Sequence, residues 1–191
     1  MKNKILLILG HSQNDSLCAA LADSYALAAR AQGTEVRELR LGQLKFDPVL
    51  AMGNRADQAL EPDLQAAQEA IRWAEHIVLV YPNWWGSMPA LLKGFLDRVM
   101  LPGFAFKYRQ DSMFWDRLLA GRSADLIVTM DTPPLIYRWL MRAPGIAQVK
   151  DGILGFCGIK PVRVTLLGPV RTASVEKRSA WLQQVSRLAA A

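Results

Sequence analysis

Ile77-Val78-Leu79-Val80, continued by Tyr81-Pro82-Asn83-Trp84-Trp85-Gly86-Ser87-Met88-Pro89-Ala90-Leu91-Leu92-Lys93-Gly94, is the stretch on which the fold turns. Its opening apolar run has no polar alternation, the pattern of a parallel strand covered on both faces. Pro89, with its preset φ, predicts a helix starting there. Two tryptophans stand in the turn between strand and helix. Ligands of open α/β sheets bind just beyond the carboxyl ends of strands. The paired rings therefore read either as a platform for a flat ligand or as filler over the sheet.

Working outward, the same alternation recurs along the chain. Strands are predicted at Lys4–Leu9, 35–38, 77–80, 124–130 and Val162–Leu167. Helices are predicted at 16–32, stopped by Gly33, and at 63–73, 89–100, 147–157 and 172–190. The last would show Val175, Leu182, Val185 and Leu188 along one face. Five strands with helical crossovers give an α/β fold, a doubly wound five-stranded parallel sheet of order 2-1-3-4-5 with helices on both faces. One domain over residues 1–191 is expected from the length. Two irregular stretches, 42–60 and 102–115, exceed ordinary connections and are candidate functional loops.

Composition narrows the function classes. An apolar fraction of 51% with 21% charged residues is that of a soluble globular protein, and no apolar run approaches the ~20 residues of a membrane span, so no membrane insertion is expected. The basic, apolar start Met1-Lys2-Asn3-Lys4-Ile5-Leu6-Leu7-Ile8-Leu9 stops at Gly10 with no small-x-small cleavage site, so it reads as a strand and the location as cytoplasmic. The net charge of +6 comes from scattered residues, which argues against nucleic-acid binding and for a solvated surface or an anionic small molecule. Cys18, Cys157, His11 and His76 form no metal-ligand spacing.

The chemistry-bearing loops follow the strands. Gly10-His11-Ser12-Gln13-Asn14-Asp15-Ser16-Leu17-Cys18 lacks both G-x-G-x-x-G and the P-loop pattern. It places hydroxyl and amide side chains where a helix begins, which suits an anion or simple N-capping. Cys18 there reads as a thiol of lowered pKa or as a small packing residue. Thr129-Met130-Asp131-Thr132-Pro133-Pro134-Leu135-Ile136-Tyr137 follows the fourth strand, with Asp131 either a base or a turn residue. Three loops thus converge at one sheet end with anion donors, paired tryptophans and a tyrosine. A planar cofactor bearing a phosphate, flavin mononucleotide (FMN), would satisfy all three.

The chain resembles the flavodoxin-like NAD(P)H:quinone oxidoreductases. The likeness is strongest at His11-Ser12 with Ser16, from Tyr81 to Gly86 and Pro89 to Val99, and at Gly152-Ile153-Leu154-Gly155-Phe156-Cys157-Gly158. It implies that His11, Ser16, Leu17 and Cys18 hold the phosphate end, that Pro82, Asn83, Trp84 and Trp85 contact the flavin ring, and that Thr129, Met130 and Asp131 form the third flavin loop. It implies a catalytic Tyr137 beside flavin and substrate, although the histidine that follows this tyrosine in the family is absent and the family's Thr-Thr-Gly-Gly loop is replaced. Phe104, Phe106 and Tyr108 would be apolar walls of the substrate pocket, or ordinary loop packing. The implied cofactor is FMN, with FAD possible. The implied chemistry is two-electron transfer by hydride from NADPH or NADH to a quinone-like substrate. The implied assembly is a homodimer, pairing near the helix after the third strand, where Leu91, Leu92, Phe95, Leu96 and Val99 are more apolar than one buried stripe requires. Two rivals share the fold: a flavoprotein electron carrier, usually acidic, and a regulatory flavoprotein subunit of an ion-efflux system.

Overall fold

In the computed structural model, residues 3–53 and 58–189 are described. Met1 and Lys2, residues 54–57 of the first long stretch and Ala190 of the last predicted helix lie outside them. Strands β1 (Lys4–Leu9), β2 (Glu35–Arg40), β3 (His76–Pro82), β6 (Ser123–Thr129) and β7 (Val162–Leu167) form a parallel sheet in the order β2-β1-β3-β6-β7. This is the expected 2-1-3-4-5 order. Its cause is visible in β1, where successive side chains go to opposite faces. Ile5, Leu7 and Leu9 join one buried cluster with Leu21, Tyr25 and Trp181. Leu6 and Ile8 join a second with Ile71, Leu92 and Phe95. Helices α1 (Leu17–Ala31) and α5 (Val175–Ala189) supply the first face, α2 (Pro62–Trp73) and α3 (Ala90–Val99) the second.

Several boundaries differ from expectation for identifiable reasons. β2 runs two residues further than predicted, because as an edge strand it carries charged side chains that hide its length. Pro89 is the N-cap of α3 in an extended conformation, not its first helical residue. The predicted helix over 147–157 is instead a short α4 (Pro144–Ala147) followed by a wide π-helical segment, Gln148–Gly155. In α5, Trp181 and Val185 are buried while Val175 is exposed, so the predicted apolar face begins too early.

The described parts of the long stretches are more ordered than the sequence suggests. Residues 102–115 contain β4 (Phe106–Tyr108), which pairs antiparallel with β5 (Trp115–Arg117) as a separate hairpin. The first stretch packs on α3. Phe46 meets Phe95 edge-on with 6.1 Å between centroids, and the buried Arg98 guanidinium donates to the carbonyls of Asp47 and Ala59 and to the Glu61 carboxylate. Leu92, Phe95, Leu96 and Val99 are therefore buried within the chain itself. Phe95 is met by the chain's own loop, while Leu91, the fifth residue of the expected pairing face, stays half-buried.

Candidate functional site

At the carboxyl ends of β1, β3 and β6, one cavity of about 220 Å³ is lined by His11, Ser16, Leu17, Cys18, Pro82, Asn83, Trp84, Thr129, Met130, Asp131 and Val170. The loop after β1 forms the anion end. Ser16 caps α1, its Oγ accepting from the Ala19 N–H at 3.2 Å and donating to the Gln13 carbonyl. First-turn amides of a helix have no intrahelical acceptor, so the N–H groups of Leu17 and Cys18 remain available to an anion. Burial lowers the pKa of His11, and its Nδ1 accepts from the Gln13 N–H at 2.9 Å. The neutral ring then carries its proton on Nε2 as a donor. Asp15, the one acidic side chain of this loop, is exposed and does not line the cavity.

The loop after β3 supplies the aromatic wall. The Asn83 N–H donates to the Thr129 carbonyl at 2.7 Å, tying this loop to the next strand. Trp84 and Ser87 exchange backbone hydrogen bonds at 2.9 and 3.0 Å around Trp85 and Gly86, both with positive φ (53° and 79°). Such a primed turn suits glycine but strains tryptophan. The Trp84 ring meets His11 edge-on at 5.5 Å and lines the cavity, whereas Trp85 is wholly exposed and lines a second cavity of about 510 Å³ with Ser12, Met88, Leu91 and Lys93.

The loop after β6 closes the third side. Thr129 Oγ1 lies 3.2 Å from Cys18 Sγ, and burial pushes the Cys18 thiol up to about 11. Of the two readings of Cys18, this favours the packing residue over a thiol of lowered pKa, since enclosure outweighs the helix terminus. Asp131 accepts the Arg171 N–H at 2.7 Å, and Met130 is bonded to Leu167 and Val170. Val170 thus enters the lining from the segment after β7, a residue the sequence reading missed. The available signal was its place just past the fifth strand, at the same sheet end as the other loops.

Tyr137 sits behind this wall. It is fully buried, and its hydroxyl donates to the Gly86 carbonyl at 2.9 Å and accepts from the Gly145 N–H at 3.1 Å. Phe104, Phe106 and Tyr108 do not line the cavity. Phe106 packs edge-on against Phe156 at 5.0 Å, Phe104 lies under the Arg72 guanidinium, and Tyr108 is exposed on the hairpin. Phe104 and Phe106 join the core cluster, which favours the packing reading for these two rings, while Tyr108 stays exposed.

The cavity suits a phosphorylated planar group: helix amides and neutral hydrogen-bond donors at one end, a tryptophan and backbone at the other, and no lining carboxylate except Asp131, whose Oδ1 is already bonded. Comparison with known proteins identifies the family and the fold. A family model described as flavodoxin-like fold (Flavodoxin_2) matches residues 3–189. An uncharacterized NAD(P)H oxidoreductase of Haemophilus influenzae is 27% identical over 183 residues, 93% of this chain and 90% of that one. NAD(P)H dehydrogenase [quinone] 1 of Rattus norvegicus is 24% identical over 189 residues, 86% and 68% of the two chains. Among solved structures, Smu.1420 of Streptococcus mutans superposes with a TM-score of 0.84 at 29% identity, covering 97% of this chain and 98% of that one. An FMN-dependent NADH-azoreductase of Bacillus anthracis, in complex with FMN, shares the fold with a TM-score of 0.71 at 17% identity and 98% coverage of each chain.

Proposed function

The chain belongs to the flavodoxin-like family, and from that premise we infer that it is a flavin-dependent NAD(P)H oxidoreductase acting on quinones or similar aromatic acceptors. The observation that carries the reading is the cavity itself, where the α1 amides, Trp84 and the loop after β6 surround one volume at the carboxyl end of the sheet. The names of the Haemophilus and rat relatives support the activity, and the Bacillus neighbour supports FMN as the flavin.

His11 Nε2–H and the Leu17 and Cys18 amides would hold the phosphate, each donating without introducing a negative charge, with Ser16 capping the helix end that presents those amides. Pro82, Asn83 and Trp84 would border the ring, and Thr129, Met130 and Asp131 would close its far side. Trp85 would meet the ring or the acceptor from outside the cavity. The chemistry supplied there is the cofactor's own: hydride acceptance from NADPH or NADH and return of two electrons to the acceptor. The protein's part is to bind, orient and exclude water.

The same reading includes a homodimer and a cytoplasmic location. Of the α3 stripe only Leu91 is not buried within the chain, so the pairing surface would draw mainly on the exposed apolar side chains Tyr108, Met113, Phe114, Leu135, Trp139 and Leu140. Both cysteines are buried and free, which fits a reducing compartment. No helix among the described residues is long and apolar enough to cross a membrane. Titration of the apoprotein with FMN, followed by flavin fluorescence, tests the reading. Saturation at one FMN per chain is expected, and absence of saturable uptake of both FMN and FAD would overturn it.

A further inference from the structure

The turn Trp84–Ser87 holds a conformation it would not choose alone. Trp85 adopts a φ of 53°, where a β-carbon crowds the backbone. Its ring is wholly exposed, so burial within the chain returns nothing. Something else must hold the turn, and it stands directly behind.

Three hydrogen bonds reach the turn from residues 137–148. The Gly86 carbonyl accepts from Tyr137 Oη at 2.9 Å and from the Gly145 N–H at 3.1 Å. Ser87 Oγ donates to Gln148 Oε1 at 2.8 Å. Gly145 approaches so closely that an added β-carbon would lie 2.6 Å from the Gly86 oxygen, 2.7 Å from Ser87 Cα and 3.0 Å from Tyr137 Oη. Tyr137 is fully buried although Ile136, Arg138 and Trp139 beside it are exposed. Its hydroxyl has its proton committed to Gly86 and accepts from Gly145. Burial also raises its pKa. A phenol so placed faces the backbone of the turn and does not line the cavity.

We propose that Tyr137 is a positioning residue: its hydroxyl, wedged between Gly86 and Gly145, fixes the Trp84–Ser87 turn that borders the flavin, and it transfers no proton to the acceptor. The role rests on the flavin reading above. It assigns the strain at Trp85 a purpose, since a locked turn presents both tryptophans in one arrangement before any ligand arrives.

The test compares wild type, Y137F and G145A, each reconstituted with FMN. Y137F removes the hydroxyl; G145A keeps it and pushes on the same turn. Both are expected to weaken FMN binding about 5-fold or more and to shift the flavin midpoint potential in the same direction. Both half-reactions should slow together, and the solvent deuterium isotope effect on reoxidation by a quinone should be unchanged in Y137F. The proposal is overturned if Y137F matches wild type in FMN affinity and potential. It is also overturned if Y137F slows reoxidation alone and abolishes the isotope effect, the signature of a proton donor. A wild type that takes up no flavin overturns the flavin reading itself, and is thereby distinguished from failure of this role alone.

Discussion

Tyr81 and His11 show how single side chains at this sheet end divide between packing and binding. Tyr81 is buried, and its hydroxyl has no hydrogen-bond partner among the described residues. A buried donor left unpaired costs about 1–3 kcal/mol, so Tyr81→Phe should be neutral or raise stability by up to about 1 kcal/mol in urea unfolding. A loss larger than that would contradict the assignment. His11 differs: its Nδ1 is occupied and its Nε2 is free to donate toward the cavity. His11→Phe keeps an aromatic ring beside Trp84 but removes the donor. It should weaken FMN about 10-fold while leaving the unfolding midpoint nearly unchanged. At this scale the sequence was most legible where position did the work. His11, Ser16, Trp84 and Thr129 could be placed because strand ends locate them. The hydroxyl partners of Tyr137 and the core location of Phe106 could not, because both depend on which distant backbone, Gly86 or the β5 strand, folds back onto them.

Elements beyond the three loops set the loops' positions. A β-carbon on Gly42 would collide with the Ser12 backbone, so the short turn after β2 buttresses the loop after β1 from behind. Gly42→Ala should therefore weaken FMN binding more than it lowers stability, as read by parallel fluorescence titration and urea unfolding. At the opposite end of the strands, Asp125 of β6 accepts from Arg163 Nε and Nη2 at 2.7 Å each, from the Tyr25 hydroxyl at 3.2 Å and from His76 Nε2 at 3.2 Å. Burial alone would raise this carboxyl, but the bonds from His76 and Arg163 overcome it and hold it well below the usual carboxylate range. A depressed folded-state pKa stabilises the fold above the ordinary aspartate value, near ~4, and that contribution fades as pH falls toward the folded value. Asp125→Asn should accordingly be less stable at neutral pH and lose less on acidification, a difference that urea midpoints at the two pH values would reveal. Equal acid sensitivity would contradict it. The buried strands of this sheet were readable because apolar runs dictate them. The β4–β5 hairpin, β2's full length and the π-helical segment were not, since their short or charged sequences carry no clean period.

Over the whole molecule, strand order was legible because right-handed crossovers leave few topologies for five alternating strands. Assembly was not, because an apolar helix looks the same whether its own chain or a second copy covers it. Arg98, bonded to Asp47, Ala59 and Glu61, shows how much of α3 its own chain occupies. The proposed dimer is expected in sedimentation at micromolar concentration, and Trp139→Ser with Leu140→Ser should shift it toward monomer without altering the far-ultraviolet spectrum. A monomeric wild type would remove the dimer from the account and leave the cavity untouched. The central claim is flavin-dependent electron transfer from NAD(P)H, and the most direct measurement is an anaerobic absorbance titration of the FMN-loaded protein. The account predicts that NADPH or NADH bleaches the flavin bands within seconds and that a quinone restores them. Bands that persist with both reductants would contradict it.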